Sequence, residues 1–223
     1  MENYDFLNNP FNGLDPNDVI GIQNQCDKLA ELLFNKYGIR CGDKTFRLVE
    51  FEFYYYKKQE SGISDWNAEW NRETYPRNKN AGEFFFHYSG ADICFQCHFD
   101  EKERDDEYGE FGGILIRSIL DGSKVLAGPL FCANAMLNAC KKQLPELVPV
   151  DLRHCKFAKD LRCGIDSDKN QEKDRRLNLC YYVTRIDGKE IEWEAASERI
   201  SWDKKNDRFK KVTRNYKKER NFI

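Results

Sequence analysis

Nowhere in these 223 residues do eighteen apolar residues run uninterrupted, and the opening MENYDFLNNPFNG has no basic stretch ahead of an apolar one. Membrane-spanning helices and a secretory leader are therefore not expected. A basic surplus is missing as well: 36 Lys and Arg against 38 Asp and Glu leave a net charge of −2, whereas nucleic-acid binders usually carry an excess of cations. Also missing are a Walker A loop, G-x-G-x-x-G, H-E-x-x-H and G-x-S-x-G. Their absence takes most of the weight from P-loop, dinucleotide-binding, zinc-protease and serine-hydrolase classes. Cysteine is not scarce, but nine residues at irregular spacing make an odd set in a chain too long to need staples. Reduced thiols in a cytoplasmic setting are the expectation.

With 40 % apolar and 33 % charged residues, the chain can bury one good core. The charge is unevenly spread. Residues 197–223 hold ten Lys and Arg against four Asp and Glu, a surplus of six, so the preceding residues carry a net of −8. Seven acids against two bases crowd into Asp100–Glu110. Both runs suit either a polarised surface facing a polyanion or ordinary solvated loops.

Residues 15–37 place Val19, Ile22, Cys26, Leu29, Leu33 and Phe34 at helical intervals between Asp15-Pro16 and Gly38, which predicts a capped helix. Thr45–Tyr56, aromatic and β-branched without a breaker, predicts a strand. Glu83–Tyr88 and Ile93–Phe99 read as a hairpin across SGAD, Ile114–Leu120 as a short strand, and 130–143 as a helix. A short helix is expected near Cys155–Leu161, and Asp187-Gly188 marks a second hairpin. The sum is a single α+β domain over 1–223, a curved antiparallel sheet with packed helices and a basic C-terminal segment, 197–223.

Alternation along the predicted strand puts Leu48, Glu50, Glu52, Tyr54 and Tyr56 on one face and Val49, Phe51, Phe53 and Tyr55 on the other. A carboxylate pair beside aromatic rings suits activation of water against a sugar carbon; the alternative is an exposed face with ordinary surface glutamates. Arg117, among the aliphatics of GGILIRSI, needs a carboxylate or carbonyls if buried, with Glu50 or Glu52 the natural partner, or else stands on an edge strand with its head in water. Cys94-Phe95-Gln96-Cys97-His98 matches a haem-attachment pattern, yet its residues alternate in a predicted strand. Zinc could draw on Cys94, Cys97, His154, Cys155 and Cys163, but no second tight cysteine pair exists. No metal and no cofactor are expected.

The order of pieces carries a further signal: LAELLFNK (29–36), FRLVEFEFYY (46–55), a loop ending PRN (76–78), the aromatic hairpin, GGILIRSI (112–119), then Gly128-Pro129 before a helix. This series resembles the alkyladenine (3-methyladenine) DNA glycosylase family, whose members show an LA-x-x-LL-like helix end, a V-E-T-E-A-Y strand, a P-R-N loop, a Y-x-x-Y-G-x-x-x-x-x-N hairpin, an L-L-R strand and a G-P-x-x-L helix. The match spans roughly residues 28–140.

The resemblance implies catalytic roles for Glu52, as the base that activates water, and for Arg117, which helps hold that water. It implies base contacts from Tyr54, Phe86 and Gln96, with His87 or Trp66 expected to take over part of the surface that a family histidine supplies. Tyr88 or Ser89 falls at the position that wedges into the duplex, where the family has a tyrosine and this chain has Ser89. The family's base-contacting loop histidine is missing, since residues 55–86 contain none. Lys204, Lys205, Arg208, Lys210 and Lys211 would grip DNA phosphates. With no lysine on the carboxylate face, the expected reaction is monofunctional hydrolysis of the glycosidic bond of an extruded, alkylated or deaminated purine. Damaged duplex DNA is the expected partner, without a membrane, and the chain is expected to be a monomer. Two other classes compete: a non-catalytic nucleic-acid-binding or interaction module of the same fold, and an N-glycosidase acting on free nucleosides or RNA.

Overall fold

The computed structural model describes residues 4–15, 18–57, 80–87, 90–95, 98–99, 109–162, 177–191, 197–203 and 208–214. A single 3-10 turn at Asp5–Leu7 precedes helix α1, Val19–Lys36. The Asp18 carboxylate caps α1 by accepting the Gly21 N–H at 2.9 Å. Its buried stripe is Ile22, Cys26, Leu29, Ala30, Leu33 and Phe34. At the other end the chain passes directly into a strand, and the buried Arg47 guanidinium lies 3.4 and 3.3 Å from the carbonyls of Phe34 and Asn35. A cation at that end also complements the helix dipole.

Strands β1 (Tyr37–Cys41), β2 (Lys44–Lys57), β3 (Phe84–His87), β4 (Gly90–Cys94), β5 (His98–Phe99), β6 (Gly109–Asp121) and β7 (Lys124–Ala127) lead to helix α2, Pro129–Cys140. Then come β8 (Glu146–Pro149), β9 (Cys155–Asp160), β10 (Cys180–Ile186) and β11 (Lys189–Glu190). These eleven strands form one curled antiparallel sheet whose main path runs β11-β10-β2-β6-β4-β3. β12 (Ser197–Asp203) and β13 (Arg208–Arg214) pair as a separate two-stranded sheet. The domain is α+β, as expected from the pattern of elements.

The two helices cover opposite faces. Phe34 of α1 packs on Phe51 and Phe157, with ring centroids 4.6 and 5.5 Å apart, and Tyr181 lies 5.4 Å from Phe53. On the other face α2 starts from Gly128, whose φ of +109° turns the chain out of β7 at little cost only without a side chain. Pro129 then sits so close over the sheet that a Cβ on Gly90 would approach its Cβ to 2.7 Å.

Two expectations are corrected. Cys155–Asp160 is not helical: it is the edge strand β9, paired with β10, and its mixed pattern comes from partial burial. The short strand at 114–120 is the later part of a thirteen-residue strand that supplies the β2 ladder along most of its length. No helix among the described residues is long and apolar enough to cross a membrane.

Candidate functional site

Strand β2 carries the predicted carboxylates, and β6 meets it in a register that shifts on both sides of Glu50. Leu48 pairs with Ile119, Glu50 with Ser118 and Phe51 with Ile116, so Val49 and Arg117 are each passed over on either side of Glu50. Such irregularities bend the ladder and re-aim a side chain. Here Arg117 is brought onto the carboxylates: its Nη1 lies 3.0 Å from Glu52 Oε1 and its Nε 3.5 Å from Glu50 Oε1. The Arg117 carbonyl accepts the Gly128 N–H at 2.7 Å, tying the break to the start of α2.

All three charged groups are buried, with both glutamates 0 % and Arg117 2 % exposed. Further partners complete the cluster. The Tyr54 hydroxyl donates to Glu52 Oε2 at 2.9 Å, and the Ser118 hydroxyl to Glu50 Oε2 at 2.6 Å. The Cys180 thiol is 3.9 Å from Glu50 Oε1. Arg162 lays its guanidinium 4.4 Å from the Tyr54 ring centroid and donates to the Phe53 carbonyl at 3.2 Å. Cys132 of α2 contacts the Arg117 carbonyl; burial, then the nearby Glu50 charge, push its thiol well above the ordinary range.

The register extends the site across the sheet. Cys180 pairs with Glu52, Glu52 with Leu115, Leu115 with Asp92, and Asp92 with Phe85, so these residues share one face. His87, two positions along, lies on the same side, with its ring stacked on Phe85 at 5.4 Å and its Nε2 3.6 Å from Asp92 Oδ1. Asp92 is 0 % exposed, whereas Leu115 between the two carboxylates is only partly buried. Adjacent strands are about 4.8 Å apart, so the Glu52 and Asp92 backbones stand roughly 10 Å apart across an apolar floor.

Of the sequence-derived candidates, Glu52, Tyr54 and Arg117 meet in direct contact, and Glu50 joins them. His87 lies two strands away on the same face. Phe86 is one step out of phase: Phe85, not Phe86, shares the face of Glu52, and Phe86 points toward the core on the other side. Trp66, Tyr88, Ser89, Gln96, Lys204 and Lys205 lie outside the described residues, as does the acidic run 100–108. Arg208, Lys210 and Lys211 belong to β13. Sequence reasoning missed Asp92, Phe85, Leu115 and Arg162. Pairing of His87 with Gly90, rather than SGAD as a loop, puts Asp92 in register with Phe85.

Among the described residues no group of three or more His, Cys, Asp or Glu is arranged to hold a metal. Cys94 and Cys155 sit on strands separated by β6, β2 and β10, too far apart to share an ion. No protein-family model matches the chain, and no curated protein or solved structure matches it.

Proposed function

We propose that the chain is a monofunctional DNA glycosylase that hydrolyses the N-glycosidic bond of an extruded alkylated or deaminated purine. The observation that carries this reading is the buried Glu52, held by Arg117 and Tyr54 and accompanied by a second carboxylate on the same guanidinium. Two buried carboxylates on one arginine are costly to maintain, and costly charge in a structured setting is a mark of a functional site. Glu52 takes a proton from water as the water oxygen bonds to C1′. The bond from C1′ to the base breaks, and its electron pair leaves with the base. Arg117 orients the carboxylate, the Phe85–His87 rings offer flat surface for a base, and Tyr54 reaches a base only where the Arg162 guanidinium moves off its ring. The cations of 197–223 contribute phosphate contacts that do not read sequence.

A second reading, a binding module without chemistry, is favoured by the complete burial of Glu52 and by the direct hold on both its oxygens. Release of free base separates the two. In a duplex carrying one ethenoadenine or hypoxanthine, the wild type releases base and Glu52→Gln does not, while both bind the duplex. Binding without release by a folded wild type would instead establish the module.

A further inference from the structure

The C-terminal end of α2 and the turn between β1 and β2 meet residue against residue. A Cβ on Gly42 would come within 2.6 Å of the Ala139 carbonyl oxygen, so the turn lies directly on the helix backbone. Asp43 pairs with Lys141 at 2.9 Å. Beside these two contacts, Cys41 and Cys140 bring their thiols within hydrogen-bonding reach of each other. Both are free cysteines, 0 % and 4 % exposed. Cys41 ends β1 and Cys140 ends α2, so a bond between them would close a loop of about a hundred residues.

Burial, and then the contact with Cys140, raise the Cys41 thiol well above the ordinary range, and a protonated thiol is a poor nucleophile. The closed pair is therefore slow to react. The helix end beside it is strained, because Lys141 takes φ +55° and ψ −94° despite its side chain. Helix ends fray, and strain favours fraying here, so Cys140 is the thiol that solvent reaches first.

We propose that Cys41 and Cys140 form a site of reversible disulfide modification, a latch that a small-molecule disulfide sets by pinning the end of α2 to the β1–β2 turn. The chemistry is thiol–disulfide exchange. Cys140 gives its proton to water, and its thiolate attacks one sulfur of the small disulfide; that S–S bond breaks and one small thiolate leaves. Cys41, deprotonated in turn, attacks the Cys140 sulfur of the mixed disulfide and expels the second small thiolate. Two protein thiols are oxidised, one small disulfide is reduced, and the two protons end on the small thiols released. The latch reaches the candidate site through α2 itself, which starts where the Gly128 N–H donates to the Arg117 carbonyl and seats Cys132 on that same carbonyl. It stands independently of the glycosylase reading.

The test exposes the native full chain to oxidised glutathione at about pH 8, where ordinary thiols begin to ionise. Cysteines are then mapped by peptide mass spectrometry without reduction, and thermal unfolding is followed in parallel. The wild type should acquire a Cys41–Cys140 cross-link and a midpoint higher by about 10 °C, the effect of closing so long a loop in a chain of this size. Dithiothreitol should reverse both. Cys41→Ser should stop at a glutathione adduct on Cys140, and Cys140→Ser should gain no rise in midpoint. The wild type decides the matter even where a serine variant fails to fold: Cys41 and Cys140 both staying reduced, or either pairing with a different cysteine, overturns the proposal. A cross-link that leaves the midpoint unmoved overturns the latch.

Discussion

The two faces of the β2–β6 ladder come from the same residues in alternation and are buried to similar depth, but opposite physics holds them. On the α1 face Phe51 and Phe53 meet Phe34 and Tyr181 ring against ring, and burial of apolar area suffices to stabilise the contact. On the α2 face Glu50, Glu52 and Asp92 are equally buried, and charge buried there is costly unless it is paired and hydrogen-bonded. Alternation dictates where each side chain goes but not what that face must be made of. Apolar residues would have served the second face as well for stability, so its charge calls for an explanation in function.

The largest effects should come from breaking each face once. Phe51→Ala should cost about 3–5 kcal/mol of unfolding free energy, because its cavity cannot refill. Arg117→Ala should cost about 3–5 kcal/mol for a different reason: two buried carboxylates lose their counter-charge. Urea denaturation in second-site backgrounds separates the causes. In a Glu50→Gln, Glu52→Gln background the penalty of Arg117→Ala should shrink to about 1 kcal/mol, near that of a neutral hydrogen bond, while that of Phe51→Ala should stay. An undiminished penalty for Arg117→Ala would mean that packing, not charge, is what the guanidinium supplies.

A smaller effect of opposite sign sharpens the contrast. Replacing Glu50, Glu52 and Arg117 together by Leu, Leu and Met should leave stability unchanged or raise it by about 1–4 kcal/mol, measured by the same denaturation, and should remove base release. A strongly destabilised triple variant would mark the cluster as a structural device. Smallest is a kinetic effect on thiols: burial pushes the Cys26 and Cys132 thiols well above the ordinary range. In the native protein at pH 8 both should resist iodoacetamide, mapped by peptide mass spectrometry, and react once urea unfolds the chain. Rapid native labelling of Cys132 would show that the α2 face opens readily.

Much of this contrast can be read from the sequence, because Glu50-Phe51-Glu52-Phe53 alternates polar and apolar residues with period 2. The α1 stripe and the Asp187-Gly188 hairpin are likewise local signals, legible without the fold, whereas the helix is capped by Asp18 and not at Asp15-Pro16. The partner of Arg117 was legible only as a choice between two glutamates; that it takes both depends on a register break, which arises from pairing between strands about 65 residues apart. The face of Asp92 depends on the pairing of β3 with β4, which the sequence does not fix locally, and the resemblance that points to Phe86 sets a place in a motif and not a face. Edge strand β9 does not announce itself in the sequence, because a half-exposed edge has no clean period. Arg162 had no local signal, since its role comes from stacking on a tyrosine more than a hundred positions away.

The most direct measurement is the unfolding free energy of Glu52→Gln set beside its rate of base release from a lesion-bearing duplex. Glu50 remains to balance Arg117 in that variant, so stability should hold within about 1 kcal/mol of wild type or rise. Release should fall by about a hundredfold or more, the contribution of a positioned general base. Undiminished release, or a loss of stability of several kcal/mol in step with a loss of release, would contradict the account and make Glu52 part of the scaffold.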